Sequence, residues 1–219
     1  MTTTRYARLT AWLIAAWFAI SFTASALHLF VTPPGRPPLP ILVAVLLPIT
    51  LFTGWYLRSN KFRSYVLSLS PRIVTILHAW RIAGFVFLVL ATYGILPRLF
   101  ALPAGWGDIT IGITAPFVAY TLATPSHRRV FIVWHLLGIT DLVTAVSLGG
   151  LTAFLGASQV SAAASAPIVF PMATLPLSLI PTFAVPLLLI LHIISITQAR
   201  HWVEEPTSAI RQKPAPLMV

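Results

Sequence analysis

Six apolar runs, each near twenty residues, decide what this chain can become. They cover about Leu9–Val31, Pro40–Leu57, Arg72–Tyr93, Ala104–Thr124, Val130–Gly150 and Leu175–Gln198. A helix needs about 20 apolar residues to cross ~30 Å of hydrocarbon. The runs do not alternate between apolar and polar residues as barrel strands do, so helices are the way to satisfy their backbones in lipid. Only 8% of the 219 residues are charged, against about 25% in a soluble domain. The predicted fold is therefore an all-α integral membrane protein: a single six-transmembrane-helix bundle over residues 1–203. A polar, Pro-rich and disordered cytoplasmic tail is expected over 204–219. The first run is too long for the apolar region of a signal peptide and reads as a retained span.

Orientation follows from Lys and Arg. With the N-terminus cytoplasmic, eleven basic residues flank the cytoplasmic side: Arg5, Arg8, Arg58, Lys61, Arg63, Arg72, Arg128, Arg129, Arg200, Arg211 and Lys213. Arg36 and Arg98 lie on the other side, and Arg81 falls inside a span. This bias places both termini in the cytoplasm and suggests a small multi-pass protein of a bacterial inner membrane. The net charge of +10 then faces anionic lipid, and no separate basic domain points to nucleic acid.

The connections have their own chemistry. Residues 58–72 place Phe62, Tyr65, Val66 and Leu69 on one helical face, which predicts a short helix on the membrane surface. Residues 96–108, rich in Pro and Gly, read as a turn region, and 158–176 as a long loop of small residues. Pro167, Pro171, Pro176, Pro181 and Pro186 recur every four or five residues. Each interior proline removes a helix hydrogen bond, so the outer half of the sixth span is expected to be kinked or broken.

Ionisable residues inside spans are rare and tend to face the bundle interior. At 1.5 Å per residue, His78, His135 and His192 fall on three different spans in one layer, roughly 8–10 Å inside the cytoplasmic boundary. Arg81 and Asp141 lie somewhat deeper and make a plausible charge pair. His28 and Asp108 form a second candidate pair near the far side. Imidazole is the commonest metal ligand, so the three histidines could bind a transition metal such as zinc or copper. They could instead hold a b-type haem, with Gly84 and Gly138 letting the macrocycle approach and Arg81 neutralising a propionate. Trp80 and Trp134 flank the layer and read as core.

Other chemistry is excluded. With no cysteine there is no disulfide, thiolate site or Fe–S cluster. The only lysines, Lys61 and Lys213, lie outside the spans, so no retinal Schiff base can form there. Three roles remain in view: a haem- or metal-binding electron-transfer protein, a small transporter whose sixth span is broken by proline, and an accessory subunit. The bilayer is the one certain partner in this reading, and a membrane complex or a homo-oligomer is compatible with it.

Overall fold

The computed structural model describes residues 3–33, 36–159 and 170–202. Among these, the chain is helical, without strands, and five helical stretches are long and apolar enough to cross a membrane. They are Thr4–Ala26, Leu39–Arg58, Pro71–Thr92, Pro125–Leu155 and Ile180–Arg200. The expected tail at 204–219, Pro167, and residues 160–169 of the expected loop lie outside the described residues.

The first span, α1 (Thr3–Ala26), begins and ends earlier than its apolar run. The chain turns at His28, which takes a left-handed φ of 56° and is exposed. A second span, α2 (Leu39–Arg58), follows. The outward faces of both helices are apolar, with Trp12, Ile20, Leu39 and Leu51 all exposed, as a lipid-facing surface requires.

The predicted surface helix is α3 (Asn60–Ser68), capped by the Ser59 hydroxyl, which accepts from the Phe62 N–H at 3.2 Å. It buries Phe62 and Val66. The Phe62 ring stacks on Trp55 at 3.9 Å, nearly parallel, while Tyr6 of α1 stacks on Tyr65 at 5.5 Å. This aromatic knot ties the start of α1 and the end of α2 to α3. Gln198 closes it from the last helix by donating to the Val66 and Leu69 carbonyls at 3.0 and 2.7 Å, at the end of α3 where the Val66 carbonyl also accepts the Leu69 N–H.

The third span is wound in three parts: α4 (Pro71–Ile76), a 3₁₀ segment (Leu77–Gly84) and α5 (Phe85–Thr92). A tight turn at Gly94, with φ +68°, leads to α6 (Arg98–Phe117). Here the fold corrects the expected turn over 96–108. Pro97 precedes the first residue of the helix, and Pro103 lies inside it. The helix therefore begins six residues before the predicted fourth span. Its glycines, prolines and Asp108 dilute its hydropathy. Small residues on its inner face let the 3₁₀ segment and α5 come close. A Cβ on Gly105 would sit 2.6 Å from Leu88 and 3.2 Å from the Gly84 carbonyl, and one on Gly112 would overlap the Ile82 backbone.

After a π-helical turn at Val118–Leu122, α7 (Arg128–Gln159) runs for 32 residues. The last span is broken as expected. A 3₁₀ turn at Pro171–Ala173 and a π-helical turn at Ile180–Ala184 precede α8 (Val185–Arg200). Pro186 has no N–H to offer the carbonyl of Thr182. That carbonyl accepts instead from Trp17 Nε1 at 3.2 Å and from the Ser21 hydroxyl at 3.3 Å. The proline thus creates an acceptor in lipid, and α1 supplies its donors.

Candidate functional site

The site starts from the way Leu77–Gly84 is wound. In a 3₁₀ helix, residues three apart lie directly above one another, whereas in an α-helix they drift around the axis. Thr75 sits just before the segment. Thr75, His78, Arg81 and Gly84 then share one inward edge, and all four are buried. The segment spans eight residues, long for 3₁₀ winding, and such stretches inside a span mark strain or function.

The three histidines converge. His78 comes from the 3₁₀ segment, His135 from α7 and His192 from α8, and each is fully buried. One nitrogen from each lies within 4.8 Å of the others. The His78 and His192 rings stack at 3.8 Å. His135 Nδ1 and His192 Nδ1 are 2.7 Å apart. Gly138, one turn from His135, leaves the space that the His192 ring occupies; a Cβ there would overlap the ring.

Arg81 has three partners. Its Nε donates to Asp108 Oδ1 at 2.7 Å, an Nη donates to Asp141 Oδ2, and Nη1 lies 3.3 Å from His192 Nε2. The expected pairing with Asp141 is present. Asp108 is placed differently from the expectation: it is not a far-side companion of His28 but the second carboxylate on Arg81. The reason is the early start of α6, which puts Asp108 ten residues into the helix instead of at its mouth. His28 lies in the turn beyond α1 and has no part in this cluster. Gly84 and Gly107 make the approach possible, since a Cβ on either would overlap Asp108 or Asp141 respectively.

Donor rules fix the tautomers. Arginine only donates, so His192 Nε2 accepts and its proton is on Nδ1. His192 Nδ1–H then donates to His135 Nδ1. This leaves the His135 proton on Nε2, 3.4 Å from the Thr75 hydroxyl. That hydroxyl donates to the Pro71 carbonyl at 2.8 Å and so is free to accept. The chain from Arg81 to Pro71 is consistent at every step. Thr75 was missed from sequence, although its three-residue spacing from His78 was visible.

His78 is outside this chain. Neither of its ring nitrogens has a hydrogen-bond partner. Around it, the Trp134 ring approaches edge-on at 5.9 Å, with the indole N–H donating to Thr114 at 2.9 Å. Trp80 does not pack in the core as expected; it is 49% exposed, because the 3₁₀ winding turns it away from the histidine edge.

A haem does not fit here. Its two axial imidazoles must point nitrogens at each other through a porphyrin plane, but the His78 and His192 rings lie face to face at contact distance. The clearances at Gly84 and Gly138 are taken by Asp108 and His192 rather than by a macrocycle. A single metal ion makes a smaller demand: three neutral imidazole nitrogens at close range. That donor set is present.

No curated protein and no solved structure matches the chain. Residues 37–200 match a family described as a domain of unknown function. The matched region contains His78, Arg81, Asp108, His135, Asp141 and His192, and leaves out α1 and His28. The chain is a member of that family, the domain of unknown function DUF8737.

Proposed function

We propose that this chain is a six-span protein of the inner membrane, with both termini cytoplasmic, that holds a transition metal on His78, His135 and His192. The basic residues clustered at the ends of alternate spans support the orientation. The burial of α6 against the 3₁₀ segment, α5 and α7 supports counting it as a sixth span. The observation that carries the metal proposal is His78, a fully buried imidazole with both nitrogens unpartnered. Leaving a buried polar group unpaired costs about 1–3 kcal/mol, and a metal on one nitrogen removes part of that cost.

Three neutral imidazoles suit zinc or copper and leave a coordination position open. Bound through Nδ1, His192 carries its proton on Nε2 and no longer accepts from Arg81. That contact, at 3.3 Å longer than the 2.7 Å bond from Nε to Asp108, would open on binding, while the two carboxylates would keep the guanidinium in place. Elemental analysis of the purified protein, and the visible spectrum after cobalt substitution, test the proposal. One metal per chain and a tetrahedral cobalt spectrum are expected. A metal-free protein that takes up no zinc, copper or cobalt refutes it.

A permease role is favoured by a different observation. A cavity of about 70 Å³ lies among the third, fourth, fifth and sixth spans and is lined by Arg81 and Asp108. Its other walls come from Leu142 and from the Pro-broken sixth span at Ile180, Ala184 and Val185. In proteoliposomes, Arg81→Ala protein that still folds should lose transport. Retained transport by this variant would count against that role.

A further inference from the structure

The buried charges do not balance. Arg81 supplies one positive charge and touches two carboxylates, Asp108 and Asp141. Its third partner, His192, accepts from it and is neutral. If both carboxylates ionise, the cluster carries one negative charge in excess. In a low-dielectric interior such a charge is costly unless a counter-charge meets it. A proton, a metal on the neighbouring histidines or a cation bound at the carboxylates has to supply it.

The space for a cation is at Asp108. Beside the cavity lined by Arg81 lies a second, of about 60 Å³, and Asp108 lines both. The Arg81 side chain is 1% exposed, but Asp108 is 17% exposed, so the carboxylate is the group a ligand would meet. Every other wall of the second cavity is apolar or glycine. Three phenyl rings contribute to it: Phe87 and Phe100 at 5.5 Å, and Phe100 and Phe170 at 6.2 Å. Ring faces attract cations, most strongly where water is excluded. A pocket that is apolar except for one polar group takes an apolar group, such as one aryl ring, of a ligand whose charge sits beside that carboxylate.

We propose that this cavity binds a lipophilic monovalent organic cation, one per chain, whose charge is met at Asp108 in exchange for a proton. The proposal rests on the permease reading and gives it a substrate class. The groups that bear on Asp108 are few. Arg81 faces it directly, Asp141 from α7 shares that guanidinium and repels Asp108 directly, and His192 from α8 contacts the guanidinium through Nη1. Helix α5 and the π-helical turn at Ile180–Ala184 carry no titratable side chain.

The test is equilibrium dialysis of the purified full chain in detergent with tetraphenylphosphonium, an aromatic monovalent cation. One ion should bind per chain. Affinity should fall roughly tenfold per pH unit on the acid side, where a proton competes for the same carboxylates. Asp108→Asn should weaken binding at least tenfold at high pH and flatten the pH dependence. Gly149→Leu fills the cavity next to Phe100 without touching a charge and should weaken binding by a similar factor. If Asp108→Asn fails to fold, Gly149→Leu and the pH profile of the parent decide. The proposal is overturned if neutral triphenylphosphine oxide binds as tightly as the cation, if both variants bind like the parent, or if the chain binds no more than empty micelles. Transport of the same ion in proteoliposomes is a separate readout: binding without transport leaves the cation site standing and removes the permease role.

Discussion

Arg81→Ala should destabilise the protein by about 3–5 kcal/mol, the usual cost of removing one partner from a buried ion pair. Arg81 is 2% exposed and holds Asp108 on its Nε and Asp141 on an Nη. Without it, two carboxylates from α6 and α7 face each other in a low-dielectric interior with no counter-charge. Thermal unfolding in detergent, followed by the folded fraction on size exclusion, measures the loss. Arg81→Met combined with Asp108→Asn and Asp141→Asn separates charge from shape. Replacing a complete buried network with neutral groups of similar volume is often nearly neutral, so this triple variant should recover most of the stability. If the single variant melts with the parent, the network is not holding these helices together.

The second large effect concerns His78, and its sign depends on metal. Without metal, His78→Leu should be as stable as the parent or slightly more so. It replaces an imidazole whose nitrogens both lack partners with an apolar side chain, and so removes a penalty of about 1–3 kcal/mol. Added zinc should stabilise the parent by about 2.7 kcal/mol at a hundredfold excess over its dissociation constant. The variant, having lost one of three ligands, should show little or no such gain. His135→Leu also loses the gain, but should destabilise the metal-free protein, because it leaves the Nδ1–H of His192 without its acceptor. Metal-dependent melting curves of the two variants distinguish these outcomes. Equal zinc stabilisation of His78→Leu and the parent would rule out a three-histidine site.

Much of this was legible because membrane physics leaves little choice. A run such as Leu39–Arg58 has no fate but a lipid-facing helix once water is absent. Depth arithmetic put His78, His135 and His192 in one layer because rise per residue is nearly constant. Asp141 was the evident partner for Arg81 because an arginine at that depth cannot stay unpaired. The proline spacing foretold the break before α8, since a missing N–H is a property of the residue itself.

The misplacements came where packing overrides local signals. Pro103 and the glycines of α6 look like a turn, yet in lipid the glycines make a close-packed helix face while Pro103 stays exposed, and Asp108 moves from the rim to Arg81 as a result. Gly84 and Gly138 looked like clearance for a cofactor, but the volume they free is filled by Asp108 and His192. Hydropathy and charge, which are sums over residues, suffice to place a helical chain in the membrane and to set its polar residues at a common depth. Which nitrogen meets which partner depends on the winding of Leu77–Gly84 and on gaps between helices. Those are settled only when neighbouring helices compete for the same space, and no single helix's sequence records them.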